Sequence, residues 1–182
     1  MISPVQLSEY NPEWPCLFRS ICTVLMTAID DLPVRLEHVG STAVPGLVAK
    51  PTIDIDIVVP TDALMTTVIS RLGSLGYEHM GDRGIRGREA FIQPPLLPPH
   101  HLYMCRDGSL PLRNHLLLRE ALRTDASARE GYSMLKRRLA AQGLDVDEYC
   151  RAKTDFILSL LRDRGMTSAE LGSISSENAG VE

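Results

Sequence analysis

From Trp14 onward the apolar residues Trp14, Leu17, Phe18, Ile21, Val24, Leu25 and Ala28 recur three and four apart, the period of a helix with one broad buried face. Asn11 is placed to cap that helix, and Pro12 suits its first turn, where no N–H is needed; the stretch 30–33 should end it. The pattern then changes. Segments 34–39 (VRLEHV) and 52–59 (TIDIDIVV) predict strands, the second a near-continuous Ile/Val run of the kind found inside a sheet. Between them Gly40 and Ser41 break the first strand and AVPG turns the chain. A helix over 60–76 follows, capped by Thr61 or Asp62 and finished by Gly73 or Gly76. Three short strands come next (YEHM, EAFIQ and HLYMC), separated by the loop GDRGIRGR and by PPLLPPH. From Pro111 the texture is helical, over about 111–123, 128–142 and 146–164. These elements predict an α/β (α+β) class, one domain over 1–165 with an α/β part to about 106 and a helical part from about 107 that can close over it. A short start at 4–7 precedes the first helix, and the tail 166–182, poor in bulky residues, is expected to be mobile.

Two acids interrupt the central strand. Side chains alternate between the faces of a strand, so Ile53, Ile55 and Ile57 share one face while Asp54 and Asp56 share the other. Carboxylates aimed the same way repel each other and resist desolvation unless water, a base or a cation sits between them. Two acids on one face suit Mg²⁺, which takes a couple of carboxylates and completes its shell with water and phosphate oxygens. Gly40 upstream permits a close backbone approach and a positive φ, so that neighbouring N–H groups can point at an anion, and Ser41 and Thr42 add hydroxyls. A phosphate cradle beside a two-acid metal site is the apparatus of phosphoryl or nucleotidyl transfer.

Charge and composition narrow the partners. The net charge is −4, with 44% hydrophobic and 23% charged residues, which fits a globular chain and argues against bulk electrostatic binding to nucleic acid or anionic membrane. Four scattered cysteines (Cys16, Cys22, Cys105, Cys150) show no zinc-like spacing and read as reduced, mostly packed thiols. No signal-peptide pattern is visible at the start, and a cytoplasmic location is expected.

The stretch EHVGSTAVPGLVAKPTIDIDIVV resembles the signature of the nucleotidyltransferase superfamily, and more narrowly that of the GrpB family. The similarity continues through YNPEWPCLF, HHLYM, LLLREALR, GYSMLKRRLA and YCRAKTDFI, and so covers about 5–161. It implies a nucleotidyltransferase-like mixed β-sheet with flanking helices and a C-terminal helical segment. It also implies use of ATP and Mg²⁺, with Asp54 and Asp56 as metal ligands and a nucleoside monophosphate moved to a small-molecule acceptor. Active relatives in the superfamily use a third acid on a later strand; here Glu89 is the nearest candidate, with His101 as the alternative. Where the family tends to show a third histidine in HHLYM, this chain has Tyr103, which shares a strand face with His101.

Other polar residues keep two readings. Lys50 either contacts the ligand or only neutralises the acids. Arg119, Lys136 and Lys153 sit on predicted helices, and one of them, with Lys136 the choice, is expected at the phosphates beside Gly40, Ser41 and Thr42. Arg83, Arg86 and Arg88 form either a solvated loop or an anion clamp. His38 is either a site residue or, like Glu37, a strand-end polar group. His100 and His101 lack a second cluster for a transition metal. The main alternative to an enzyme is a nucleotide-binding or accessory module that has lost turnover, linked to coenzyme A metabolism through the family's fusions to dephospho-CoA kinase. A pure interaction domain is the third, least supported, reading.

Overall fold

The computed structural model describes residues 5–180 of the 182-residue chain. Met1 to Pro4, and with them the first residue of the expected short start, lie outside the described residues, as do the last two residues of the tail. The first helix, α1, runs Trp14–Ile29, and the side chain of Asn11 accepts a hydrogen bond from the Glu13 N–H just ahead of it. Five strands follow in sequence: β1 Arg35–Val39, β2 Ile53–Val59, β3 Glu78–His79, β4 Arg88–Ile92 and β5 His100–Arg106. Their spatial order is β1-β2-β5-β4-β3, with β2 and β5 parallel and the other neighbours antiparallel. The sheet is therefore mixed, and β2 with its two acids lies inside it.

The Ile/Val side of β2 builds the main core. Ile53, Ile55, Ile57 and Val59 are fully buried with Leu102 and Met104 of β5 against Trp14, Ile21, Leu25 and Ile29 of α1 and Val68 and Leu72 of α2, Met65–Ser74. Each buried side chain of this size contributes about 1.5–3 kcal/mol, so this layer fixes which way β2 faces. A short 3-10 turn at Asp62–Leu64 leads into α2, and neither Thr61 nor Asp62 makes the expected side-chain cap.

The acidic side of the sheet is covered by the helical half: α3 Leu110–Thr124, α4 Ala126–Ala141, α5 Val146–Ala152, α6 Thr154–Asp163 and α7 Ser168–Gly180. Three joints fasten it there. Val58 and Cys105 meet Leu112, while Val44 and Leu47 meet Leu122 and Tyr132. Arg119 of α3 donates to Glu37 (2.9 Å) and to the His38 carbonyl (2.8 Å). The predicted helix over 146–164 is two helices, broken at Lys153, the residue between α5 and α6. Asp145 and Glu148 form a reciprocal capping box at the start of α5.

Two expectations are corrected here. The stretch after Gly165 packs where the sequence offered no bulky core: a helix spans Ser168–Gly180, and Met166, Leu171 and Ile174 are buried against Leu161, with Leu117 and Leu158 packed around them. Three apolar residues in a polar stretch suffice because a preformed apolar surface receives them. Deleting residues 166–182 should then lower the unfolding free energy by several kcal/mol, at about 1.5–3 kcal/mol per side chain exposed, as read from denaturant midpoints of full-length and shortened chains. An unchanged midpoint would mean that α7 adds nothing to the fold. The thiols are also less packed than expected: Cys16 and Cys150 are exposed and only Cys105 is fully buried.

Candidate active site

The site begins at the bend after β1. Gly40 has φ +68 and ψ −169, a backbone region essentially restricted to glycine. A Cβ added there would fall inside the Asp54 carboxylate. The bend turns at once into a 3-10 turn, Ser41–Ala43, which places Ser41 and Thr42 beside the end of β2. Thr42 is held by His38, whose Nε2 lies 3.0 Å from Thr42 Oγ1, and the His38 ring stacks on Phe18. Burial pushes the His38 imidazole down to about 4, Asp54 opposing and Arg123 and Arg119 adding to the shift, so it is neutral at pH 7 and supports the turn.

Each acid meets an imidazole. His101 Nδ1 donates to Asp54 Oδ1 at 2.8 Å, and His115 Nδ1 of α3 donates to Asp56 Oδ2 at 2.7 Å. Burial lowers the His115 pKa, but the Asp56 charge and hydrogen bond more than offset it and hold it above the ordinary value. Asp56 is fully buried, and its other oxygen, Oδ1, has no hydrogen-bond partner. A buried carboxylate oxygen left this way is costly, and a cation would satisfy it. No three His, Cys, Asp or Glu residues converge on one point among the described residues, so a cation held by Asp54 and Asp56 draws its other ligands from water or substrate. That donor set fits Mg²⁺.

Two cavities meet at Asp54. The smaller, about 230 Å³, is lined by Ser41, Thr42, Lys50, Lys136 and Lys153 together with His101. Lys136, only 2% exposed, donates from Nζ to Ser41 Oγ at 2.8 Å and lies over the Tyr132 ring. Burial first, then the Lys153 charge, lower its ammonium to about 7, with Asp54 opposing and Lys50 adding to the shift. Burial also lowers the Lys153 pKa, and Lys50 lowers it further. Three lysines around hydroxyl donors are an arrangement suited to a multiply charged anion. The larger cavity, about 340 Å³, lies under α3, α5 and α6 and is lined among others by Arg88, Tyr103, Asn114, His115 and Arg151. Burial pushes the Tyr103 hydroxyl up to about 12, Asp54 adding to the effect, so it stays protonated.

Most of the predicted site residues come together: Gly40, Ser41, Thr42, Lys50, Asp54, Asp56, His101, Tyr103, Lys136 and Lys153 all line or adjoin the two cavities. Glu89 does not. It pairs in register with Met104, on the Ile/Val side of the sheet, and accepts from His79 Nε2 at 2.7 Å. The third-acid role expected of it is therefore corrected, since the sheet itself separates it from Asp54. His100 points the same way as Glu89, bonded to Tyr77 and to the Pro98 carbonyl. Arg119 and Glu37 pair with each other at the joint between the two halves. Of the loop arginines, Arg83 and Arg86 are exposed and Arg88 is buried in the larger cavity. His115 escaped the sequence reading. Its signal was the run His115, Arg119, Arg123 at helical spacing, one polar stripe on a leucine-rich helix.

Comparison with known proteins shows what the chain is similar to. A family model described as "GrpB protein" matches residues 4–163. The UPF0157 protein YqkA of Bacillus subtilis is 30% identical over 84% of this chain, which spans 45% of that protein. A UPF0157 protein of Halalkalibacterium halodurans is 31% identical over 90% of this chain and 84% of its own length. A dephospho-CoA kinase of Mycolicibacterium paratuberculosis is 29% identical over 83% of this chain and 44% of its length. Among solved structures, the conserved protein GrpB from Enterococcus faecalis superposes with a TM-score of 0.75 at 28% identity, covering 94% of this chain and 98% of that one. The Cid1 poly(U) polymerase superposes with a TM-score of 0.51 at 14% identity over 73% of this chain and 42% of its own, a likeness of fold and so a nucleotidyltransferase-like one. No helix among the described residues is long and apolar enough to cross a membrane. The chain belongs to the GrpB family.

Proposed function

We propose that this protein is a Mg²⁺-dependent nucleotidyltransferase that moves a nucleoside monophosphate from ATP to a small-molecule acceptor. The observation that carries the reading is the buried Asp56 oxygen without a partner, on the same strand face as Asp54, which lines the three-lysine cavity. Support for a nucleotide ligand comes from the fold likeness to Cid1, which has been solved with the UTP analog UMPNPP. Asp54 and Asp56 would hold Mg²⁺, which would neutralise phosphate charge and polarise the phosphoryl group under attack. Ser41, Thr42, Lys50, Lys136 and Lys153 take the β- and γ-phosphates. Gly40 admits Asp54 close to the backbone and so fixes the distance between cradle and acids. An acceptor oxygen in the larger cavity attacks the α-phosphorus, a P–O bond forms, and the bond to the β-phosphate oxygen breaks. Pyrophosphate leaves with the electron pair, and the acceptor proton passes to solvent.

The test is release of pyrophosphate from ATP in the presence of Mg²⁺ and a panel of small hydroxylated metabolites. Acceptor-dependent release supports transfer. ATP binding without release for any acceptor favours the accessory module, the reading that the position of Glu89 across the sheet from Asp54 and the likeness to part of a dephospho-CoA kinase support.

Lys136 makes a pH prediction. Its ammonium must be charged to bind a phosphate, and in the free protein it loses its proton around pH 7. Nucleotide affinity should be highest below that value and fall as pH rises through it, because binding then requires proton uptake. Calorimetry of ATP from pH 6 to 9 should show this slope in the native protein and lose it in Lys136→Met. The same slope in both would remove Lys136 from the phosphates.

A further inference from the structure

Arg88 starts β4 on the acidic side of the sheet, opposite Cys105 in register. It is 9% exposed, and its guanidinium stacks 4.3 Å above the centre of the Tyr103 ring. Its Nε is buried without a hydrogen-bond partner, and no ion pair holds the group among the described residues. Asp56 gives one oxygen to His115, and Glu177 of α7 senses the Arg88 charge without bonding to it. A buried, unpaired guanidinium is costly to keep, and stacking on Tyr103 fixes the plane of its donor fork. Beside it, Asn114 Oδ1 is also buried with no partner, and both residues line the larger cavity. The same cavity takes Arg151 and Lys153, against Asp54 and Asp147.

We infer that this cavity binds a small acid, a carboxylate or phosphate monoester carrying a hydroxyl or amine, with its anionic group on Arg88 and its donor on Asn114. The volume, about 340 Å³, is that of a small-molecule site. An acceptor of this size is a metabolite rather than a polymer end. The role of this acid as acceptor rests on the nucleotidyl-transfer reading; its binding does not.

Calorimetry on the full chain without nucleotide tests the binding, with glycerol 3-phosphate, glycerate, inorganic phosphate and glycerol as probes. Glycerol 3-phosphate or glycerate should bind, whichever is tighter naming the anion, while phosphate binds more weakly and glycerol not at all. Arg88→Met should weaken the bound acid about tenfold or more. Arg88→Lys should fall between, since it keeps charge and loses the fork. Asn114→Leu, nearly isosteric, removes the oxygen that accepts from the ligand's donor and should also lose about tenfold; it decides the matter if Arg88→Met fails to fold. Affinity for ATP should be unchanged in all three variants. Absence of binding by both hydroxy acids, equal binding of glycerol, unaltered affinity in Arg88→Met and Asn114→Leu, or loss of ATP binding with Arg88→Met would each overturn the inference. Acid binding by a protein that does not bind ATP would sustain it while sinking the transfer reading.

Discussion

Gly40→Val is expected to abolish nucleotide binding and to lower the melting temperature on the order of 5–10 °C. Two causes act together. The residue sits at φ +68 with ψ near 180°, where a β-branched side chain adds about 1–3 kcal/mol of strain. Its Cβ would also occupy the Asp54 carboxylate, and that collision cannot be relieved by a flexible side-chain tip. Either Asp54 leaves the site face or the bend moves, carrying Ser41 away from Lys136. Gly40→Ala should show the same loss of binding with a smaller thermal shift. Thermal melts and an ATP titration on both variants check this, and native affinity in Gly40→Val would reduce the bend to a mere turn.

Why much of this was legible in the sequence is a matter of period. The two-residue alternation in IDIDIVV assigns Asp54 and Asp56 to one face whatever else the chain does, and Gly40 can be read as a special backbone position from its place between strand and turn. Register is different. Glu89 and Arg88 are adjacent, and only the pairing of β4 with β5 decides which of them shares a face with Asp54; a slip of one residue exchanges them. Starting the strand at Glu89 made it the natural third acid, and the structure gives the site Arg88 instead. His115 depended on how α3 is rotated against the sheet, which its leucines alone do not specify because they nearly encircle the helix. Lys153 reaches both cavities from the break between α5 and α6, a break with no glycine or proline to announce it.

The mutual repulsion of Asp54 and Asp56 also has a structural answer. His101 and His115 each donate to one carboxylate, so each acid has a hydrogen-bond donor before any cation arrives. Asp54→Asn and Asp56→Asn then each remove an anionic metal ligand and weaken the charge-assisted bond from its imidazole, and a gain in stability from relieved repulsion is not expected.

The most direct measurement is a calorimetric titration of ATP into the native protein, Asp54→Asn and Asp56→Asn, each with Mg²⁺ and with the cation chelated. Native protein should bind ATP far more tightly with Mg²⁺, and each variant should lose that Mg²⁺-dependent gain, by about 100-fold or more, while keeping its far-ultraviolet circular dichroism. Equal affinity in all three proteins, or an affinity in native protein that Mg²⁺ does not alter, would contradict the assignment of Asp54 and Asp56 to a metal–nucleotide site.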